Sequence, residues 1–305
     1  MTEAGAGRRA AVLGHPIAHS LSPVLHRAAY TALGLEQWQY DAVDVTAEQL
    51  PVFLESLTGE WAGLSLTMPL KQTVLGLLDH IEPLAEVVGA VNTVLVQAGR
   101  GRPALTGANT DVYGIVTALG EALGSGPVRS VRRTAAVLGG GATAASTLAA
   151  LAQLGCTTPV VYVRSLGTIG GLMRAAHRMG VEPRYASSDA AAHEITSADL
   201  VVSTLPPHAA DHIAAQLTAR ADEPGAVPPR GVLLDVAYDP RPTALAAAWT
   251  RAGGVVVGGE RMLLHQAAEQ VRLMTGRPGP LDDMSAALTE ALAQGSGQEA
   301  PAPRS

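Results

Sequence analysis

The sequence predicts an α/β fold in two domains. Apolar runs of strand length alternate with segments of helical periodicity along the 305 residues. Domains usually have about 100 to 200 residues, so a chain of this length accommodates two. Hydrophobic residues make up 47% of the chain and aromatic residues only 3%, so Ala, Val and Leu must build the core, as they do in parallel α/β sheets.

The first half alternates between strands and helices, which favours a largely parallel sheet. Its predicted strands are 10–14, 39–45, 62–66 and 91–96. Its predicted helices are 23–33, 47–57 and 69–78. Gly34 is expected to end the first of these helices.

The second half begins near Thr134 and predicts a doubly wound sheet. Its predicted strands are the run TAAVLG from 134, then 159–163, 199–205 and 231–238. Surface loops are predicted at 124–133 and 221–230, helices at 261–275 and 282–293, and a disordered tail at 295–305.

Charge and composition exclude several classes of partner. A formal net charge of −6 and a pI near 5.8 argue against nucleic acid and anionic membranes, which bind clustered Lys and Arg. The partner expected is a small molecule. No run approaches the roughly 20 apolar residues of a membrane span, and the first ten residues lack the apolar core of a secretion signal.

Cysteine and histidine usage argues against disulfides and metals. Cys156 is the only cysteine, which excludes an internal disulfide and a cysteine cluster and suits a reducing, cytoplasmic location. His15 and His19 have the spacing of a helical metal pair, but Pro16 lies between them, so no metal site is expected.

A glycine-rich loop follows the first strand of the second half and precedes an apolar helix. The segment has the form G-x-G-x-x-A and consists of Gly139, Gly140, Gly141, Ala142, Thr143 and Ala144. In this context Gly139 turns the chain, Gly141 admits a diphosphate close to the backbone, and Ala144 lets the helix pack closely. Dinucleotide binding is the prediction; the alternatives are a tight strand-to-helix turn or another nucleotide-like ligand.

The end of the next strand indicates which dinucleotide binds. An acidic residue there would hydrogen-bond the ribose hydroxyls of NAD, but the strand ends with Val163, Arg164 and Ser165. Because a guanidinium and a hydroxyl suit a 2'-phosphate, NADP is predicted. A solvated surface arginine is the alternative.

Two serines precede the first helix. Because Pro23 favours an extended conformation at Ser22, Ser20 and Ser22 can project to the same side and bind a carboxylate beside the free amides of the helix. Ser22 followed by proline is also an ordinary helix cap, and the local sequence does not separate these readings.

Lys71 and Asp111 are the candidate proton-transfer groups. Lys71 falls in the first turn of a predicted helix, where the helix dipole disfavours a cation, so an acidic partner is expected. Together a lysine and a carboxylate can hold and move a proton at an alcohol or ketone. An exposed lysine and a capping aspartate are the alternatives. Thr67, Asn92 and Asn109, polar residues at the ends of apolar runs, favour an active site.

The chain resembles the shikimate dehydrogenase family from about residue 10 to 290. The resemblance is carried by the segments HSLSP, SLTMPLK, GAVNT, GANTD, DVAYDP and MLLHQA. It implies the catalytic residues Lys71 and Asp111. It implies substrate contacts from Ser20, Ser22, Ser65, Thr67, Asn92, Asn109, Tyr238 and Gln266. With the glycine loop it implies cofactor contacts from Gly139, Gly140, Gly141, Ala142, Thr143, Arg164, Ser165 and Gly259.

The resemblance also implies an architecture and a reaction. A substrate-binding domain of residues 1–108 plus 262–294 is expected to face a Rossmann domain of residues 109–261, with the C-terminal helices returning to the substrate domain. Catalysis in the cleft is the NADP-dependent, reversible reduction of 3-dehydroshikimate to shikimate, in aromatic amino acid biosynthesis. The protein is expected to be a monomer or a homodimer.

The chain departs from the family pattern at several positions. Ser65 replaces the usual asparagine, Thr168 stands where a second arginine is frequent, and Arg261 replaces a common glycine. The N-R-T motif is reduced to Val163-Arg164-Ser165.

Two alternatives therefore stay open. One is a quinate or aminoshikimate dehydrogenase of the same family, which Ser65 keeps possible. The other is a methyltransferase or a non-catalytic nucleotide sensor that uses the same glycine loop, against which Arg164 and the pair Lys71 and Asp111 argue.

Overall fold

The computed structural model describes residues 7–99, 101–123 and 133–295. Within these ranges, twelve strands form two six-stranded sheets. The loop predicted at 124–133 and the tail predicted from 295 fall almost entirely outside the described residues, so both stay predictions.

The first sheet has the order β2-β1-β3-β5-β6-β4. Its strands are β1 (Arg9–Gly14), β2 (Gln39–Asp44), β3 (Trp61–Leu66), β4 (His80–Ile81), β5 (Thr93–Gln97) and β6 (Ala104–Ala108). The four strands predicted here are confirmed, but β5 runs antiparallel to both of its neighbours, so the sheet is mixed. The connection from β5 to β6 is too short for the crossover that a parallel pair needs.

The second sheet is parallel throughout and has the order β12-β11-β10-β7-β8-β9. Its strands are β7 (Ala135–Leu138), β8 (Val160–Val163), β9 (Arg184–Ser187), β10 (Leu200–Ser203), β11 (Val232–Asp235) and β12 (Val255–Gly258). The strand order changes direction at β7 and β10, which confirms the doubly wound prediction. The sequence did not reveal β9 and β12, because these edge strands are short and partly exposed.

Helices connect the strands and cover the sheets. They are α1 (Ser22–Ala32), α2 (Leu50–Glu55), α3 (Leu70–Thr73), α4 (Pro83–Val88), α5 (Asp111–Leu123), α6 (Ala142–Gln153), α7 (Gly170–Met179), α8 (Ala191–Glu194), α9 (Asp211–Ala221), α10 (Ala244–Arg251), α11 (Gly259–Thr275) and α12 (Leu281–Gly295). The helix predicted at 69–78 is α3 continued by a 3-10 turn at Val74–Leu77.

The last two helices return to the first sheet. Leu25 and Ala29 of α1 are buried against Leu264 and Val271 of α11 and Leu288 of α12. Full burial of a leucine side chain stabilises a fold by about 1.5 to 3 kcal/mol, so this apolar cluster holds α11 and α12 in place. The return of the C-terminal helices that the resemblance implied is confirmed.

Candidate active site

A cavity of about 450 Å³, called here the central cavity, is lined by residues of both sheets and of α11. The first sheet and its connections contribute Ser20, Ser22, Ser65, Thr67, Lys71, Asn92 and Asp111. The second sheet and its connections contribute Thr143, Leu205 and Tyr238, and α11 contributes Gly259, Met262, Gln266 and Gln270. Every predicted catalytic and substrate-binding residue except Asn109 therefore lines this cavity.

Lys71 and Asp111 form a buried ion pair at the central cavity. Nζ of Lys71 lies 2.6 Å from Oδ2 of Asp111, and only 14% and 4% of the two side chains are exposed. Ion pairs screened from water interact more strongly than surface pairs. An ammonium group held in this way can donate a proton to an oxygen atom in the cavity. The alternative of an exposed, unpartnered Lys71 does not agree with this geometry.

Asn92 holds the carboxylate from the other side. Its Nδ2 donates to Oδ1 of Asp111 at 2.8 Å and to Oγ1 of Thr110 at 2.9 Å. Its Oδ1 accepts from the backbone N–H of Thr110 at 2.7 Å. Both carboxylate oxygens of Asp111 are thus bonded within the protein, which fixes the direction in which Lys71 is held.

Asn109 does not face the central cavity. Its Nδ2 donates to the backbone oxygen of Ala90 at 2.9 Å and to Oγ of Ser146 at 3.0 Å, while its Oδ1 accepts from the N–H of Val112 at 3.2 Å. All its hydrogen-bonding groups are therefore used inside the protein, which argues against the predicted contact with a substrate hydroxyl. Asn109 supports the start of α5, the role for which Asp111 was the alternative candidate.

The serine pair lies at the start of α1. Ser22 is the first residue of the helix and is buried, and the backbone N–H of Ser22 donates to Oγ of Ser20 at 3.3 Å. No described side chain caps α1. The Ser22 hydroxyl is therefore not a helix cap, and both serines line the cavity beside the helix amides, where an anion is favoured.

Gln266 and Tyr238 line the central cavity from two different parts of the fold, α11 and the end of a strand in the second sheet. Gln266 lies on α11, donates from Nε2 to the backbone oxygen of Leu263 at 3.1 Å and accepts from Asn92 at 3.3 Å. Tyr238 follows β11; burial raises the pKa of its hydroxyl, which is hydrogen-bonded by the backbone of Leu21. Tyr238 thus brings the second sheet close to the serine pair.

The glycine loop has the shape that a dinucleotide requires. Gly139 has a φ of +110°, and a Cβ there would lie 2.5 Å from Oγ1 of Thr204. No described atom beyond its own neighbours lies within 4 Å of a Cβ position at Gly141, so its backbone is open to a ligand. No described side chain caps α6, which begins at Ala142, so its first amides can bind a diphosphate.

The remaining cofactor candidates lie at two places. Thr143 and Gly259 line the central cavity, so its far end reaches the glycine loop and the start of α11. Arg164 and Ser165 are exposed directly after β8. Thr168, where a second arginine is frequent in the family, donates its hydroxyl to the backbone oxygen of Ser165 at 3.0 Å.

Arg261 points away from the central cavity. Its guanidinium donates to both carboxylate oxygens of Glu121 on α5, at 2.9 and 2.5 Å. This bonding holds the pKa of Glu121 below its usual range, and His265 adds a third contact at 2.8 Å. Met262 lines the cavity and Arg261 does not. The arginine that replaces the usual glycine therefore links α11 to α5 and does not block the site.

Two residues of the site were missed by the sequence analysis. Thr110 bonds to Asn92, and Gln270 lines the cavity and bonds to Ser65 at 2.8 Å. Thr110 lies inside the GANTD segment, so this motif could have indicated it. Gln270 had no signal, because a glutamine four residues after Gln266 is an ordinary feature of a helix.

The described residues contain no cluster of three or more His, Cys, Asp and Glu side chains arranged to hold a metal ion. None of the helices in the described ranges combines the length and the apolar character needed to cross a bilayer.

A doubly wound parallel sheet with an open glycine loop, beside a cavity that holds a buried lysine–carboxylate pair, defines a dinucleotide-dependent oxidoreductase. Comparison with known proteins identifies the family. A model of the shikimate dehydrogenase substrate binding domain matches residues 12–94, and a model of the shikimate 5'-dehydrogenase C-terminal domain matches residues 259–289. The chain belongs to the shikimate dehydrogenase family, as its motifs predicted.

Individual relatives cover nearly the whole chain. Shikimate dehydrogenase (NADP(+)) of Citrifermentans bemidjiense is 36% identical, with 96% of this chain and 98% of that protein aligned. The Mycobacterium tuberculosis shikimate dehydrogenase structure has a TM-score of 0.78 and 40% identity, covering 93% of this chain and 99% of that chain. The Thermus thermophilus enzyme, in complex with NADP(H) and shikimate, has a TM-score of 0.73 and 33% identity, with coverages of 93% and 99%.

Proposed function

We propose that this protein is an NADP-dependent shikimate dehydrogenase that reversibly reduces 3-dehydroshikimate to shikimate in aromatic amino acid biosynthesis. The observation that carries the proposal is the buried pair of Lys71 and Asp111 in a cavity that extends to the glycine loop. The name of the Citrifermentans bemidjiense relative gives this activity and cofactor, and the Thermus thermophilus structure is a complex with NADP(H) and shikimate.

Lys71 is the group that acts at the ketone oxygen. NADPH, when bound, supplies the hydride that reduces the carbonyl carbon. The Lys71 ammonium stabilises the negative charge that develops on the oxygen and donates a proton to it. Asp111 orients the ammonium group and balances its charge, and Asn92 fixes Asp111 through Oδ1. The burial of the pair strengthens each of these interactions.

The remaining polar groups bind the substrate ring. Ser20 and Ser22 bind its carboxylate at the start of α1, where the helix amides favour an anion. The hydroxyl groups are bound by polar side chains around the Lys71–Asp111 pair. These side chains are Ser65, Thr67, Asn92 and Gln266, with Tyr238 on the side of the second sheet. Buried polar groups of this kind reject analogues that lack the matching hydroxyl.

The cofactor binds across the second sheet at the point where its strand order changes direction. Residues 139–143 would hold its pyrophosphate, and Gly259, which lines the central cavity together with Thr143, would contact its nicotinamide. Arg164 and Ser165 bind the 2'-phosphate of NADP, since both follow β8 and are accessible.

In this proposal residues 1–108 plus 262–294 form the substrate-binding domain and residues 109–261 form the Rossmann domain. The two sheets and the return of α11 and α12 support this division. A cytoplasmic location and a monomeric or homodimeric state stay predictions.

The test compares substrates and cofactors in one assay. Purified protein is mixed with 3-dehydroshikimate or 3-dehydroquinate, each with NADPH and with NADH, and cofactor absorbance is followed. The proposal predicts the fastest turnover with 3-dehydroshikimate and NADPH. Faster turnover of 3-dehydroquinate would assign the protein to the quinate branch, which the serine at position 65 keeps open. If the cofactor bound but was oxidised with neither ketone, the result would support the alternative of a non-catalytic nucleotide sensor.

A further inference from the structure

A buried hydrogen-bond network adjoins the central cavity. It consists of Gln270, Ser65, Tyr40 and His26, and is called here the Gln270 network. Their exposed fractions are 1%, 4%, 0% and 0%, and Gln270 and Ser65 also line the cavity. The rings of His26 and Tyr40 stack with their centroids 3.9 Å apart. The orientation of each group is therefore set by its neighbours and not by water.

The amide of Gln270 has only one orientation that satisfies these neighbours. Its nitrogen lies 3.2 Å from the backbone oxygen of Asn92 and 3.0 Å from Oγ1 of Thr93. A backbone carbonyl can only accept, so the NH₂ group must face Asn92. Oε1 then faces Oγ of Ser65 at 2.8 Å and Nε2 of His26 at 3.2 Å.

His26 agrees with this orientation. Burial lowers its pKa to about 3, so the ring is neutral at ordinary pH and one nitrogen carries a proton. Nδ1 is buried without a partner among the described residues, while Nε2 faces Oε1 of Gln270. Since Oε1 only accepts, Nε2 carries the proton and donates it to Gln270.

The hydroxyl proton of Ser65 is assigned in the same way. Because Oε1 of Gln270 accepts, Ser65 must donate its single proton to that atom. The Tyr40 hydroxyl, 2.6 Å away, then donates to Oγ of Ser65. Ser65 has no proton left for the cavity and retains one free lone pair.

We propose that Gln270 makes Ser65 an acceptor-only group, so that this wall of the cavity binds a substrate hydroxyl and excludes the substrate ketone and carboxylate. The proposal rests on the proposed function, since it concerns the specificity of the same site. Ser65 contacts the substrate, and Gln270 is a positioning residue that acts through Ser65.

The physical reason is the cost of placing two acceptors together. A ketone or carboxylate oxygen at Ser65 would meet a lone pair and lose its own hydrogen bonds to water. A ring hydroxyl donates into that lone pair instead. The asparagine usual in the family offers both a donor and an acceptor. The serine accepts only, so fewer substrate groups can bind at this position, and the ketone is directed toward Lys71.

The test uses two analogues of 3-dehydroshikimate in which each ring hydroxyl in turn is replaced by fluorine, which cannot donate. The ratio of kcat/KM for the natural substrate to that for each analogue is measured. In the wild type, the ratio for one analogue should exceed about 100. In Ser65→Ala the same ratio should fall below about 10, because the acceptor is gone.

Gln270→Met tests the positioning role. Without Oε1 the Ser65 proton is free to point toward fluorine, so the ratio should fall in this variant as well. Ser65→Asn, which restores a donor, should lower it too and serves if Gln270→Met fails to fold. Tyr30→Phe is the matched control, since its buried hydroxyl has no partner among the described residues, and it should keep the wild-type ratio.

Normal turnover with an unchanged ratio in Ser65→Ala, or in Gln270→Met and Ser65→Asn, would overturn this inference and leave the proposed function intact. If the wild type prefers 3-dehydroquinate, the ratio is measured on its fluorinated analogues and decides the inference in the same way. Absence of turnover with both ketones would overturn the proposed function and the inference with it.

Discussion

Asn92 donates from Nδ2 to Oδ1 of Asp111 at 2.8 Å, which leaves Oδ2 of that carboxylate to Lys71. The two oxygens of one carboxylate thus have separate partners. Asn92 is a buried amide that immediately precedes β5, and Asp111 is the first residue of α5, so two rigid elements set the position of the lysine. This arrangement is the physical basis of the proposed chemistry.

We expect turnover to depend on the charge of the Asp111 side chain more than on its shape. Asp111→Asn keeps the volume of the side chain but removes the charge that balances Lys71. We expect kcat to fall by about 100-fold or more, because positioned proton-transfer groups contribute about 10² to 10⁴ in rate. NADPH binding should stay within about twofold, since Asp111 is assigned to the substrate side. Asp222→Asn, on an exposed ion pair with Arg251, is the control. A kcat within threefold of the wild type would contradict the role of Asp111.

Asn109 should affect stability more than substrate affinity. Asn109→Ala removes the bonds to Ala90 and Ser146 and the support of the first turn of α5. Leaving buried partners unsatisfied costs about 1 to 3 kcal/mol, which denaturant unfolding would measure. The KM for 3-dehydroshikimate should change by less than about threefold. A large rise in KM with unchanged stability would restore the substrate contact expected from the sequence.

Arg164 should discriminate between the two nicotinamide cofactors. Arg164→Ala should raise the KM for NADPH by about 10-fold or more and leave the KM for NADH unchanged, since a charge-assisted bond to phosphate contributes about 1.5 to 3 kcal/mol. Steady-state kinetics with both cofactors provide the measurement, with Arg251→Ala as an exposed control. Equal effects on NADPH and NADH would show that Arg164 does not bind the 2'-phosphate.

His26 should make the fold sensitive to acid. Its pKa is lowered by burial from 6.5 to about 3, so between these values the unfolded state binds more protons than the folded state. This group leaves the free energy of unfolding unchanged above about pH 6.5 and lowers it as the pH falls below that value. Between pH 7 and pH 5 the loss from this group is about 2 kcal/mol.

His26→Phe keeps a ring beside Tyr40 and removes the titration. The variant should unfold more easily than the wild type at pH 7, because the bond to Gln270 is lost, but its stability should change less between pH 7 and pH 5. Denaturant unfolding at the two pH values checks this. Equal pH dependence in both proteins would refute the prediction.

The sequence predicted the strands that end at the active site because each is an apolar run followed by small polar residues. Lys71 and Asp111 could be paired from the sequence because both lie at such ends. The direction of β5 could not be predicted from the same pattern, since alternation of elements suggests parallel strands and only the short connection to β6 reveals the reversal.

The roles of individual polar side chains were harder to predict than their locations. Asn109 belongs to the same motif as Asp111, yet its amide faces Ala90 and Ser146, because the chain turns into α5 between the two residues. The contact between Ser65 and Gln270 joins residues that are 205 positions apart. Such a contact follows from the packing of α11 against the first sheet, which no local spacing encodes.

The role of Lys71 is to act on the substrate ketone and not to bind the cofactor. Its most direct test is the turnover of 3-dehydroshikimate by Lys71→Met with saturating NADPH, together with NADPH binding measured by titration of the same preparation. If Lys71 is the proton donor, NADPH affinity should be unchanged and turnover should fall by about 1,000-fold or more. Turnover within about 10-fold of the wild type, at the same NADPH affinity, would contradict it.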